Sequence, residues 1–301
     1  MAKTLIAIVG PTAIGKTAMA ITLAQHFDTE IISSDSRQFY REMQIGTAVP
    51  SKEELSRAKH HFIQHKSISD AYTVGDFEKE ALEVLEELFK DNDTVIMVGG
   101  SGLYVDAVTQ GLDKFPKINP EVRKGLNAEL KENGIESLQV RLEKLDPDYY
   151  GKVDNQNPHR LIRALEVCLG SGKPYSYFLS AEKKARSFDI LTVGITADRP
   201  LIYERINTRV DKMLADGLLA EVEKVLPYRE LNALNTVGYK ELFKYLDGTS
   251  TLEFAISEIK KNTRRFAKRQ MTWFRKKEKT LWVPYNISSK ELILKVKDKI
   301  V

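Results

Sequence analysis

Thr4-Leu-Ile-Ala-Ile-Val9, followed by Gly10-Pro-Thr-Ala-Ile-Gly-Lys-Thr17, is the stretch whose reading decides the fold. Its first half is an unbroken apolar run of strand length, of the kind covered on both faces in a parallel sheet. The second half fits G-x-x-x-x-G-K-[ST], and the following Ala18 to Phe27 has helical spacing, with Ile21, Leu23 and Ala24 on or near one face. Strand, glycine loop, helix is the order that a phosphate-cradling loop requires. Gly10 and Gly15 allow the backbone to wrap close to an anion, and free N–H groups at the helix start point at phosphate oxygens. Lys16 adds a mobile positive charge, and the Thr17 hydroxyl is a candidate ligand for Mg2+. The expected diphosphate site is therefore Gly10, Pro11, Thr12, Ala13, Ile14, Gly15, Lys16 and Thr17. The plain alternative is a glycine-rich turn in an ordinary βα unit.

Outward from this loop, Glu30-Ile-Ile-Ser-Ser-Asp35 reads as a second strand ending in an acid. Ser51 caps a short charged helix, and His60, His61 and His65 follow it. Their spacing is irregular for zinc and no cysteine is near, so a structural strand is expected there. A helix from Gly75 to about Lys90 carries Phe77, Ala81, Val84, Leu85 and Leu88 along one stripe. The apolar run Thr94 to Gly99 then ends in a second glycine turn, Gly100-Ser-Gly-Leu-Tyr104. This alternation predicts an α/β fold, a P-loop doubly wound parallel sheet.

The texture changes at about Phe115. Helical runs are broken at Asn133-Gly134, Asp146-Pro147, Asn157-Pro158 and Gly170-Ser-Gly172, and nothing between 118 and 185 reads as a strand. Residues 116–185 are therefore expected as an inserted all-helical domain, with 1–115 and 186–301 forming the core domain and its C-terminal helices. The sheet resumes at Ile190 to Ile195. Pro200 opens a helix with Arg205 and Arg209 four apart on one side, and Thr280 to Val283 is a candidate last strand.

Composition narrows the class. No run among the 301 residues is long and apolar enough to span a bilayer, and the opening residues do not read as a signal peptide. A cytoplasmic protein with no membrane partner is expected. Cys168 lies in an apolar stretch and reads as a buried thiol. The net charge of +4 hides an asymmetry, because Lys260 to Lys279 holds ten Lys or Arg against one acid. On a helix, Ile256, Ile259, Thr263, Phe266, Ala267 and Phe274 share one face. Lys261, Arg264, Arg265, Lys268, Arg269, Arg275 and Lys276 share the other. A solvated face normally mixes signs; this one predicts contact with a nucleic-acid backbone.

Asp35, at the carboxyl end of its strand, is expected near the glycine loop, where α/β ligands bind. There it could bind a hydroxyl, accept a proton or hold Mg2+ through water; a helix N-cap is the plain alternative. The run ending Val98-Gly-Gly-Ser101 lacks the acid of an ATPase or GTPase. That points away from a motor or switch and towards a small transferase.

The residues now carry a resemblance. The chain resembles the bacterial tRNA dimethylallyltransferases, also called tRNA isopentenyltransferases, over nearly its whole length. The matching motifs are Gly10 to Thr17, Asp35-Ser-x-Gln-x-Tyr40, Ile45-Gly-Thr-Ala48 and Gly99-Gly-Ser-Gly-Leu-Tyr104. Arg160-Leu-Ile-Arg-Ala-Leu-Glu166, Val237-Gly-Tyr-Lys-Glu241 and Ala267-Lys-Arg-Gln-x-Thr-Trp-Phe-Arg275 follow in order. The resemblance implies transfer of a dimethylallyl group from dimethylallyl diphosphate to N6 of an adenosine beside the anticodon, with Mg2+ required and pyrophosphate leaving. It implies Asp35 as general base, and Lys16, Thr17 and Arg209 as the groups holding the diphosphate and its metal. By the same resemblance Asp35, Ser36, Arg37, Gln38, Ser101, Arg123, His159, Arg160, Leu161, Ile162 and Arg163 contact a tRNA anticodon stem-loop. The insertion and the basic helices would clamp that stem-loop, and a monomer is expected. Phe39, Tyr40 and Tyr104 are candidates to stack on a drawn-out base, with core packing an equal alternative.

Three positions depart from the family pattern. Ile14 and Val49 replace a common Ser and Lys, and Ser101 replaces a Thr while keeping the hydroxyl. Competing readings are a P-loop small-molecule kinase, a free-adenylate isopentenyltransferase and an RNA-binding NTPase. None of the first two has an evident use for the basic face, and the third leaves Asp35 without a task.

Overall fold

Sheet order follows from which strands are apolar throughout. The computed structural model describes residues 3–179 and 185–300. The chain divides into two compact units, one of Met1–Gln110 with Ala185–Val301 and one of Gly111–Lys184. In the first unit, β1 (Thr4–Val9) leads to α1 (Lys16–Phe27), β2 (Ile31–Ser33), α2 (Lys52–Arg57) and β3 (His60–His61). Next come α3 (Val74–Asp91), β4 (Thr94–Val98) and α4 (Gly102–Gln110). The second unit holds α5 (Pro120–Leu145), α6 (Pro147–Tyr150) and α7 (Pro158–Ser171). The chain then returns through β5 (Asp189–Thr196), α8 (Arg199–Ala215), α9 (Leu218–Val225) and α10 (Tyr239–Leu246). It ends with α11 (Leu252–Arg275), β6 (Thr280–Pro284) and α12 (Ser289–Lys297).

Among the described residues six strands form one sheet in the order β3-β2-β4-β1-β5-β6, every pairing parallel. Ile6 stands opposite Ile96 on one side and Leu191 on the other. The chain leaves β1 towards β2 on one flank and, after β4, crosses to β5 on the other. That reversal opens a crevice at the carboxyl end of β1. Side chains of β1 alternate between two cores. Leu5, Ala7 and Val9 pack with residues of α3, α4, α10 and α11. Ile6 and Ile8 pack with residues of α1, α8 and α12. A strand buried on both faces has no polar alternation, which is why 4–9 reads as a continuous apolar run.

The expected strand over 30–35 is shorter in the structure, because the chain turns at Asp35, whose carbonyl accepts the Gln38 N–H at 3.0 Å. Ser51 caps α2 reciprocally with Glu54, and Thr73 does the same for α3 with Asp76. His60 and His61 form the short edge strand β3, and the His61 ring sits against Glu30.

The second unit is helical and has its own core of Leu126, Leu138, Leu142, Leu161, Ile162, Ala164, Leu165 and Cys168. Gly134 interrupts α5 with φ 77° and ψ −177°, so the break read at Asn133-Gly134 lies inside one nominal helix. The buried Asp146 carboxylate receives the N–H of Tyr149 and both the N–H and hydroxyl of Ser176. Residues 180–184, within the expected insertion 116–185, lie outside the described residues.

Candidate active site

In the larger unit, the loops after β1, β2 and β4 emerge at the carboxyl edge of the sheet. The first is built from backbone. Gly10 has φ +150°, and a Cβ on it would stand 3.0 Å from the Ile195 carbonyl oxygen. Gly15 caps α1 at φ 104°, a left-handed conformation that favours glycine. Lys16, the first residue of α1, folds back so that Nζ donates to the Pro11 carbonyl at 2.8 Å. Arg205 Nε donates to the Ala13 carbonyl at 2.8 Å, and Arg209 Nη1 to Thr12 Oγ1 at 3.1 Å. The four-residue spacing on α8 thus sets both guanidiniums against one loop.

Electrostatics link this loop to the next. Burial pushes the Lys16 ammonium down to about 8, with the Asp35 charge opposing and the Arg209 charge adding to the fall. Burial also lowers Arg209, again opposed by Asp35. Asp35 is therefore within electrostatic reach of both cations, and the three are brought together at one edge.

Around Asp35, the side chains are committed to the protein. The Asp35 carboxylate accepts the Arg37 N–H at 3.2 Å. Ser36 N–H donates to Ser101 Oγ at 3.1 Å, and the two hydroxyls lie 3.1 Å apart, so the loops after β2 and β4 are joined. Ser101 thus keeps a hydrogen bond that needs only a hydroxyl. Arg37 donates to the carbonyls of Asn232 and Ala233. Gln38 Nε2 donates to the carbonyls of Thr47 and Ala48. Phe39 is fully buried among Phe77, Tyr72 and Tyr104, and Tyr40 is buried beside it. These two candidates for base stacking are core residues.

Gln270 on α11 is the site residue that motif reading left without a role. It is 5% exposed; its Oε1 accepts the Thr12 N–H at 2.9 Å and its Nε2 donates to the Gly100 carbonyl at 3.0 Å. A Cβ on Gly100 would lie 2.2 Å from that Nε2, so a side chain there would displace the Gln270 amide. The signal was available in the helical spacing: α11 buries Ala255, Ile259, Ala267, Gln270 and Phe274, and a polar residue on that stripe needs partners. Phe266, expected inward, is instead 37% exposed, because it lies one position off the stripe that Ala267 and Gln270 follow.

The basic face is less uniform than its sequence. Lys260 pairs with Asp211 and Lys261 with Glu258, while Lys277 pairs with Asp106, which also accepts the Trp273 indole N–H. Arg264 donates to Asn207 at 2.8 Å. Arg265, Lys268, Arg269, Arg275 and Lys276 remain exposed. Lys268 and Arg275 line a cavity of about 690 Å³ that reaches Pro11 of the glycine loop and the strand ends at Thr196 and Pro284.

The helical unit holds the remaining candidates. Arg123 meets Glu166 through two bonds of 3.2 and 2.8 Å, and Arg163 reaches the same carboxylate at 3.0 Å. Burial raises Glu166, but the two guanidiniums outweigh it and hold the carboxyl below its usual range. His159 and Arg160 are exposed. Leu161 and Ile162, expected with them at an RNA surface, face the core of the unit instead. The cause is helix geometry, since α7 turns those two positions inward.

Residues 38–277 match the family model described as IPP transferase. The chain is 59% identical over its full length to a tRNA dimethylallyltransferase of Christiangramia forsetii, covering 99% of that protein. It is 60% identical to one of Flavobacterium johnsoniae, covering 97% of this chain and 96% of the relative. Among solved structures, the full-length tRNA isopentenylpyrophosphate transferase of Bacillus halodurans superposes with a TM-score of 0.72 at 37% identity. That match covers 99% of this chain and 95% of the other. A eukaryotic dimethylallyltransferase, solved acting on tRNA, gives a TM-score of 0.81 at 27% identity, with 99% and 79% covered. The chain belongs to the IPP transferase family, that of the tRNA dimethylallyltransferases.

Proposed function

We propose that this protein transfers a dimethylallyl group from dimethylallyl diphosphate to N6 of an adenosine next to the anticodon in tRNA, releasing pyrophosphate. The observation that carries the reading is that Lys16 and Arg209 both bond the glycine loop at the sheet edge where Asp35 opens the turn tied to Ser101. An adenine amino nitrogen is a weak nucleophile, because its lone pair is delocalised into the ring. The allylic carbon must therefore be made strongly electrophilic. As its bond to oxygen breaks, charge builds on the departing diphosphate, where Lys16, Arg209 and the loop N–H groups stabilise it. The new carbon–nitrogen bond forms at N6, and Asp35 takes the N6 proton.

Among the described residues no three His, Cys, Asp or Glu side chains gather as a metal cage. Apart from the Thr12 hydroxyl, which accepts from Arg209, the candidate side-chain oxygens are the Thr17 hydroxyl of the loop and the Asp35 carboxylate of the next turn. Such a sparse set fits Mg2+, which is commonly held by one or two protein oxygens with phosphate oxygens and water completing its shell. Thr17 is the proposed ligand, and the ion, when bound, would neutralise charge on the diphosphate. Exposed Lys268, Arg269 and Arg275 suit contact with an RNA backbone, and in the helical unit His159, Arg160, Arg123 and Arg163 supply the same chemistry. No helix among the described residues is long and apolar enough to cross a membrane. The proposed enzyme is cytoplasmic and monomeric.

The test is to incubate the protein with radiolabelled dimethylallyl diphosphate, Mg2+ and tRNA. Label is expected on tRNA, with no hydrolysis of ATP. Label that stays off tRNA, while ATP phosphorylates a small acceptor, would favour a kinase.

A further inference from the structure

Two motifs, Ile45-Gly-Thr-Ala48 and Val237-Gly-Tyr-Lys-Glu241, have no part in the chemistry above. One carboxylate joins them. Glu221 on α9 accepts the N–H groups of Gln44 at 3.0 Å and Ile45 at 2.7 Å on Oε2. Its Oε1 accepts the Gly46 N–H at 2.9 Å and the Tyr239 hydroxyl at 2.6 Å. Four donors thus converge on a group that offers about four lone-pair sites and no proton of its own. Successive N–H groups aimed at one point form an anion-binding concavity, filled here by the protein's own side chain. The Tyr239 ring closes over the loop so tightly that a Cβ on Gly46 would lie 2.6 Å from a ring carbon.

The other side of this loop faces the Asp35 turn. The Thr47 and Ala48 carbonyls accept from Gln38 Nε2 at 3.2 and 2.9 Å, and the Gln38 N–H donates to the Asp35 carbonyl. Ala48 has φ 50°, a left-handed conformation uncommon for alanine, so the surrounding bonds fix where its carbonyl points. We propose that Glu221 is a positioning residue for the transfer reaction, holding the 44–48 loop and, through Gln38, setting the Asp35 turn against the acceptor base. The inference rests on Asp35 acting as the base in the function proposed above.

The experiment compares the full-length wild type with E221Q and Y239F. Glu221→Gln keeps the size but leaves a single acceptor oxygen and sets an amide NH₂ against N–H groups. For E221Q, kcat is expected to fall by about 10²-fold, the cost of displacing a reacting group by about 1 Å. Binding of inorganic pyrophosphate with Mg2+, followed by calorimetry, stays unchanged, because the Glu221 hydrogen bonds run to 44–46 and Tyr239 rather than to Gly10–Thr17. Amides of 44–46 exchange faster with solvent, while those of Gly10–Thr17 do not. Y239F keeps three of the four bonds and loses about tenfold in kcat, the value of one hydrogen bond to a charged group. A variant that melts earlier yet keeps wild-type kcat when folded overturns the proposal. Loss of pyrophosphate binding in step with kcat overturns it as well. Should E221Q fail to fold, an unchanged kcat in Y239F overturns it. Absence of transfer by the wild type would sink the proposed function itself, a result separate from all of these.

Discussion

Gly10–Thr17 and Asp35–Ala48 emerge at the same edge of the sheet, but different forces hold them in shape. The first is a backbone structure. Its glycines take conformations that side chains resist, and its remaining needs are met by Lys16 on its own carbonyl, by two arginines one helical turn apart and by Gln270 on the Thr12 N–H. The second is held by side chains far away in sequence: Ser101 on Ser36, Glu221 on 44–46, and Arg37 reaching out to Asn232 and Ala233. A binding loop that works through N–H groups can take its shape from its own glycines, with distant side chains bracing it. A loop that must present one carboxylate to a large substrate needs support from several elements, and α9, α10 and the segment before α10 supply it.

Asp35→Asn breaks this contrast with the largest effect. The substitution keeps the size and the acceptor for the Arg37 N–H, but removes the proton acceptor. Turnover is expected to fall by about 10²–10⁴-fold. Affinity for tRNA, measured separately by equilibrium binding, should be retained. Wild-type turnover in this variant would remove Asp35 as base and leave the second loop with a binding role alone.

The same contrast explains what could be read in the sequence. Strands buried on both faces, the glycine loop and the helical insertion all carry local signals of period or punctuation. The breaks at Gly134, Pro147 and Pro158 and the Ser51 cap are of that kind. Glu221 carries no such signal, and Gln270 shows only its place on a buried stripe; the partners of each are brought near only by folding, and Gln270 lies 258 positions from Thr12. Leu161 and Ile162 show the opposite failure. A motif marks a segment, but only the helix's orientation decides which of its members see solvent.

Gln270→Ala sharpens the comparison from the other side, because it strikes the backbone-built loop through a distant side chain. Its removal leaves the Thr12 N–H and the Gly100 carbonyl without partners. The expected loss is about 1–3 kcal/mol of stability for the buried Gly100 carbonyl, with less for the part-buried Thr12 N–H, read by urea unfolding. The KM for dimethylallyl diphosphate should rise, since Thr12 sits in the loop. A stability loss with KM unchanged would mean that the loop holds its shape without α11.

Acidity separates the two loops next. Burial pushes the Lys16 ammonium down to about 8, so it is charged below that pH and loses its charge as pH rises through it. The kcat/KM for the donor, which reports the free enzyme, should therefore fall above about pH 8, approaching tenfold per unit. Lys16→Arg should remove this limb, because a guanidinium stays charged throughout the range. A profile with the same limb in K16R would assign it to another group.

The smallest effect on catalysis belongs to the basic face of α11, which touches neither reacting atom. Lys268, Arg269 and Arg275 are exposed, whereas Arg264 is tied to Asn207 and Lys260 and Lys261 to acids. The first group, unlike the second, is not tied to an acid or to Asn207 and can replace counterions on an RNA backbone. Substituting those three by alanine should lower the slope of log affinity against log salt by roughly two, at about 0.7 per phosphate contact on a single strand. Turnover at saturating tRNA should be unchanged, because the diphosphate loop and Asp35 keep their partners. Arg264→Ala alone should leave the slope near wild type while loosening α11 against α8. If R264A moved the slope as much as the triple variant, the count of exposed cations would not govern RNA affinity. A slope unaltered in the triple variant would make this face an ordinary solvated one, leaving RNA contact to the helical unit.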